Sequence, residues 1–161
     1  MSEKDMFINA WDNESKTTAR VLKAYPEAKL DLKPSEKSRT ARELAWTIVG
    51  GEMVVGQTLD GKIDFTPGPP PPATMKEIVQ TYEKVHADVL NKVKNMSDKD
   101  LETPIKFFTA PKQMGDIPRS KLLWFILMDN VHHRGQLSVY LRMAGGKLPS
   151  IYGPTADEPW M

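Results

Sequence analysis

Apolar residues recur at helical spacing in four stretches of the chain. In the first, Phe7, Trp11, Thr18, Val21 and Leu22 keep to one side of a helix. Ser2-Glu3-Lys4-Asp5 starts that helix and Tyr25-Pro26 ends it, because the residue before a proline resists the helical region. The second stretch carries Leu44, Ile48, Val55 and Leu59. It opens with Thr40-Ala41-Arg42-Glu43, a capping box in which hydroxyl and carboxylate each satisfy an unpaired backbone N–H, and closes at Asp60-Gly61. A second box, Thr74-Met75-Lys76-Glu77, precedes Ile78, Tyr82, Val85, Val89 and Val93. The fourth helix is predicted from about Arg119 to Met143 and is stopped by Ala144-Gly145-Gly146. Leu122, Phe125, Ile126, Leu137 and Tyr140 mark its buried stripe.

The intervening segments read as connections. Residues 26–39 are polar and contain Pro34. Lys62 to Ala73 includes Pro67-Gly68-Pro69-Pro70-Pro71-Pro72, which predicts a stiff, polyproline-like crossover; a proline-rich ligand for another domain is the alternative. Ser97-Asp98-Lys99-Asp100 caps a short turn. Residues 103–118 form a second long connection, with Phe107 and Phe108 pinning it to the helices. Phe65, Ile105 and Phe107 lie in segments too short and isolated to predict paired strands. Four amphipathic helices with two long loops make an all-α four-helix bundle, a single domain over residues 1–161. The aromatic and apolar residues of the tail, 147–161, predict that it packs in order along the bundle.

Composition narrows the function. Apolar residues make up 40% of the chain, and 22 basic against 21 acidic residues leave a net charge of +1. That balance, with no basic stripe interleaved with aromatics, argues against nucleic acid and against an anionic membrane surface. No apolar run approaches the roughly 20 residues needed to span a bilayer. Met1-Ser2-Glu3-Lys4-Asp5 is charged and is followed by no apolar signal core, so a cytoplasmic protein is expected. Without cysteine there is no disulfide, thiolate ligand or cysteine nucleophile.

The candidate chemistry lies in Asp129-Asn130-Val131-His132-His133-Arg134-Gly135-Gln136. Asp129 and His133, at i and i+4, fall inside the predicted stripe of the fourth helix and can share one ion, for which zinc, nickel, manganese and iron all suit. Equally, the two can bond each other and cap a polar core layer. His132 falls at the stripe's edge, as a surface or subunit-contact residue. Arg134 has Glu43 or Glu52 as possible partners, and Gln136 a backbone group of the tail. His86 lies beside the stripe of the third helix, as a packed core-edge residue or, if the third and fourth helices face each other, as a third ligand. Gly50-Gly51 in the second helix costs about 1 kcal/mol per glycine relative to alanine, which close helix contact or a bend explains.

His132-His133-Arg134-Gly135-Gln136-Leu137-Ser138-Val139-Tyr140-Leu141-Arg142 resembles the last-helix signature of the DinB-like (DinB/YfiT-like metalloenzyme) family. The continuation from Gly145 to Pro154 resembles one branch of that family, and Arg39 to Trp46 is similar to its second-helix segment, with Lys33-Pro34 and Leu101 also fitting. The resemblance implies an up-down-down-up four-helix bundle, frequently a homodimer. It also implies a divalent metal (zinc or nickel) held by three histidines, one on helix two and two at i and i+4 on helix four. Relatives include thiol-dependent transferases and hydrolase-like enzymes. This chain departs from the triad at Thr47 and Asp129, and only His133 matches.

Two functional readings follow. In the first, the pocket is an impaired descendant of the metal site, lined by Thr47, Gly51, His132, Gln136 and Tyr140 around Asp129 and His133; it binds a small molecule or nothing, without catalysis, and dimerisation or partner binding is the retained property. In the second, Asp129 and His133, with water or His86, hold a divalent metal for a hydrolase or thiol transferase.

Overall fold

The computed structural model describes residues 2–161; Met1, the first residue of the charged N-terminal segment, lies outside the described residues. The chain runs α1 (Glu3–Ala24), a 3-10 turn (Glu27–Lys29), α2 (Ala41–Asp60), α3 (Met75–Asn95), α4 (Asp98–Glu102), β1 (Pro104–Ala110), β2 (Gln113–Pro118) and α5 (Arg119–Met143). Capping boxes open α1 to α4: Ser2 with Asp5, Thr40 with Glu43, Thr74 with Glu77 and Ser97 with Asp100. Each supplies two backbone N–H groups with partners that the first helical turn cannot provide. Gly61 ends α2 at φ 86°, a left-handed conformation open to a residue without Cβ.

The directions of the helices follow from two apolar clusters. One joins the end of α1 (Val21, Leu22) to the starts of α2 (Leu44, Ile48) and α3 (Ile78, Tyr82) and the end of α5 (Leu137, Leu141). The other joins the start of α1 (Phe7, Trp11) to the ends of α2 (Val55, Leu59) and α3 (Val89, Val93) and the start of α5 (Leu122, Ile126). Helices α1 and α5 therefore run one way and α2 and α3 the other, the up-down-down-up arrangement. α2 packs on α5 and α3, and α1 on α3 and α5, so α1 faces α2 across the bundle, as α3 faces α5. Between the clusters, halfway along the helices, lie the buried polar residues Ser15, Thr18, Glu52, His86, Asn130 and Arg134.

The structure corrects two expectations. Residues 103–118 are not an unpaired connection: β1 and β2 form an antiparallel hairpin pairing Ile105 with Ile117 and Phe107 with Gly115, irregular at Phe108/Ala110. Its inward side is short, with Ile105 buried and Phe107 and Ile117 partly so, which leaves too few alternations to signal strands. Lys106 and Asp116 pair across its outer face at 3.1 Å. The buried stripe of α5 is also turned from its predicted position. Phe125 is 51% exposed, while Leu123, Leu127, Asn130, Arg134 and Ser138 are buried. Polar residues occupy part of the inward face and so displace the apparent apolar axis.

The crossover from Lys62 to Ala73 has no regular structure and is tied down by Trp46, whose Nε1–H donates to the Pro69 carbonyl at 2.9 Å. Residues 147–161 fold back along the bundle: Arg20 binds Glu158 at 2.7 Å, Arg142 pairs with Asp157, and the Leu148 N–H donates to Asp157 at 2.8 Å. Among the described residues no helix is long and apolar enough to cross a membrane.

Candidate functional site

Two features share the middle of the molecule. The first is a cleft of about 480 Å³ between α2 and α5. Thr47, Gly50, Gly51 and Val54 repeat along one face of α2 to form one wall, and Phe125, Ile126 and Asp129 form the other. Gly68 and Pro69 of the crossover and Phe107 of the hairpin roof it. Gly51 is required by proximity: a Cβ there would stand 2.2 Å from Asn130 Oδ1, whereas a Cβ on Gly50 would meet nothing within 4 Å. Close helix contact thus explains the second glycine and not the first.

Asp129 does not face the bundle axis, whereas His133, its side chain 13% exposed, is largely buried beside it. The Asp129 side chain is 47% exposed on the cleft's rim, and its Oδ2 lies 3.4 Å from His133 Nε2. His133 Nδ1 lies 2.9 Å from Gln136 Oε1, so Gln136 contacts this ring rather than the tail. The Thr47 hydroxyl donates to the Glu43 carbonyl at 2.9 Å. Gly51 and Thr47 line the cleft with Asp129, while His132, Gln136 and Tyr140 are outside its lining. His132 is exposed beside the His133 ring, and Tyr140 is buried, donating to the Arg39 carbonyl at 3.1 Å.

This donor set does not fit the triad implied by the resemblance. One carboxylate, already in contact with an imidazole, shares the cleft with a threonine whose proton is committed to its own helix. Among the described residues no three histidine or carboxylate side chains stand together as ligands for one ion. His86 does not join Asp129 and His133, because α3 and α5 lie diagonally across the bundle.

His86 belongs to the second feature, a polar belt inside the bundle. Glu52, 1% exposed, accepts from Trp11 Nε1 at 3.2 Å, and both of its oxygens lie 3.4 Å from His86 Nδ1. Asp12 Oδ1 stands 3.5 Å from His86 Nε2, on the other edge of the ring, and makes no hydrogen bond to it. The carboxylates thus flank the imidazole on opposite edges and do not converge on one point. Burial pushes the Glu52 carboxyl up, partly opposed by the His86 contact. For His86, burial disfavours the charged ring, but Glu52 and Asp12 outweigh it and hold the imidazole above its ordinary value. Together the pair binds a proton more tightly than either group does in water. Lys16, then His86, hold Asp12 low. Tyr82, stacked 6.4 Å from His86, is raised by burial and by Glu52.

Arg134, also 1% exposed, pairs with Glu14 rather than Glu43 or Glu52, because its part of α5 faces α1. Nη1 contacts Glu14 Oε2 at 2.6 Å, and Nη2 donates to the Tyr152 hydroxyl at 2.6 Å. That hydroxyl donates to the same Glu14 oxygen at 2.9 Å, which fastens the tail to the bundle. Asp12, Glu52 and Asn130 are residues that sequence reasoning missed as site members. Glu52 carried a signal: it stands four residues after Ile48 and three before Val55, within the apolar stripe of α2. A charge at such a position requires buried partners.

A family model described as the DinB family matches residues 1–160. The uncharacterized protein YrdA of Bacillus subtilis strain 168 is 27% identical over 156 residues, covering 96% of this chain and 90% of that one. The structure of a DinB-like protein from Bacillus cereus ATCC 10987 is similar with a TM-score of 0.78 and 28% identity, over 91% of this chain and 95% of that one. YfiT from Bacillus subtilis, described as a probable metal-dependent hydrolase with an unusual four-helix bundle topology, is similar with a TM-score of 0.66 and 14% identity, over 90% of each chain. At that identity the likeness concerns the fold alone.

Proposed function

This chain belongs to the DinB family, and we propose that it has kept the family's pocket between α2 and α5 as a small-molecule binding cleft while its metal site is impaired. One observation carries the reading: Thr47 and Asp129 stand where the resemblance implies histidines, and the Thr47 proton is already given to Glu43. The cleft is roofed by segments from outside the bundle and lined mainly by apolar side chains, the ordinary character of a small-molecule site. A second copy of the chain is the partner this reading expects, on the side of α5 where Met128, Val139 and Met143 are exposed.

Metal analysis of untagged protein prepared without chelators tests this. The wild type should carry far less than one zinc or nickel per chain, and Thr47→His should raise the content. Near-stoichiometric metal in the wild type, lost in both Asp129→Ala and His133→Ala, would establish the competing reading. That reading, a divalent-metal hydrolase or thiol transferase using Asp129, His133 and water, is favoured by the 3.4 Å approach of the two side chains.

A further inference from the structure

The cleft between α2 and α5 has a consistent chemical bias. Asp129 is the one ionisable side chain among its described lining residues. Its carboxylate makes no hydrogen bond to the described residues, and its Oδ2 lies 3.4 Å from Nε2 of the His133 ring. The side-chain donors of the lining are committed elsewhere. Trp46 Nε1–H is held by the Pro69 carbonyl at 2.9 Å and the Thr47 hydroxyl by the Glu43 carbonyl at 2.9 Å. The side-chain groups left to meet a ligand, the carboxylate and the lone pairs of the Thr47 oxygen, are therefore acceptors. An anionic ligand would find no side-chain donor here, and a ligand carrying N–H groups would find partners for them.

The remaining lining suits the body of such a ligand. Trp46, Phe107 and Phe125 bring aromatic rings from α2, β1 and α5, with Phe107 and Phe125 tilted at 62° and their centroids 6.1 Å apart. Aromatic faces attract a cation through the ring quadrupole and hold apolar surface equally well. Basic residues Lys33, Lys37 and Arg39 line a separate cleft beyond Trp46 and Thr47. None of these basic residues lines the groove that holds Asp129.

Building on the reading of this cleft as a small-molecule site, we propose that its ligand is an organic ammonium ion. The amine is drawn to Asp129, and a small apolar body lies against Trp46, Phe107 and Phe125.

Three probes of matched shape test the assignment by titration calorimetry on the full chain at neutral pH and low salt: phenethylammonium, 2-phenylethanol and 3-phenylpropionate. Phenethylammonium should bind at least tenfold more tightly than the alcohol, and the carboxylate more weakly than either. Asp129→Asn should reduce that preference to less than about threefold without lowering the melting temperature, since the side chain is half exposed. Trp46→Phe should diminish the ligand-induced change in tryptophan fluorescence. Alcohol binding as tight as the ammonium, tighter carboxylate binding, or a preference that survives Asp129→Asn would each overturn the cation assignment while leaving the binding cleft standing. Failure of all three probes to bind at millimolar concentration would overturn the cation assignment and the binding cleft together.

Discussion

Adjacent glycines in the middle of α2 should respond in opposite ways to a single methyl group. Helix propensity favours alanine over glycine by about 1 kcal/mol at either position. At Gly50 nothing lies within 4 Å of the new Cβ, so Gly50→Ala should be stabilising by most of that amount. At Gly51 the methyl would stand 2.2 Å from Asn130 Oδ1, 2.7 Å from Cγ and 2.8 Å from Nδ2. The amide must move, and it is buried with Oδ1 unpartnered among the polar residues of the belt. Overpacking of this kind costs about 1–3 kcal/mol. Gly51→Ala should therefore fall below Gly50→Ala by about 1–3 kcal/mol, at roughly 2–4 °C in melting temperature for each kcal/mol in a domain of this size. Urea and thermal unfolding followed by far-UV circular dichroism measure the difference. In an Asn130→Ala background the obstacle is absent, and the two alanine variants should agree within about 0.5 kcal/mol. If Gly51→Ala stabilises the wild type as much as Gly50→Ala does, the close approach of α5 to α2 at this level is wrong.

Further outcomes follow from the belt and the caps. Because the Glu52 and His86 sites both lie above their ordinary values, 4.5 and 6.5, the native pair binds more protons than the unfolded chain. The stability it contributes is complete below the unfolded values and lost as pH rises through the higher native ones. The melting-temperature difference between wild type and the Glu52→Gln/His86→Gln double variant should therefore fall from about pH 4.5 upward; a difference constant with pH contradicts this. Glu14→Ala leaves the buried Arg134 charge without its carboxylate and should cost about 3 kcal/mol, with faster proteolysis of residues 147–161. A loss under about 1 kcal/mol would mean that the Tyr152 hydroxyl and backbone suffice. Thr40→Ala removes half of the capping box of α2 and should cost about 1 kcal/mol in urea denaturation, with no change in the number of bound metal ions.

Thr40 with Glu43, and Thr74 with Glu77, announce helix starts because partner and orphaned N–H lie within one turn. Tyr25-Pro26 and Asp60-Gly61 end helices for equally local reasons. The hairpin was hidden because its inward positions, Ile105, Phe107 and Ile117, are few and because their pairing is a relation between strands. The face of α5 was misplaced because Asn130 and Arg134 occupy core positions: a wheel weighted by hydrophobicity assigns them outward and draws Asp129 inward. His86 was recognised as core-edge, but its partners, Glu52 on α2 and Asp12 on α1, lie 34 and 74 residues away in the chain.

The sequence by itself determined the four long helices and their ends, and the last-helix motif that marks the family, because these depend on residues within a turn or two of each other. The tertiary structure alone decided which polar groups meet: Glu52 with His86, Arg134 with Glu14, and Asp129 on the cleft's rim with a committed Thr47 in the opposite wall. The physical reason is that burial, charge pairing and donor commitment depend on how one helix is rotated against another. That rotation is set by packing, as where Asn130 rests on Gly51, and a shift of one residue turns a helix face by about 100°.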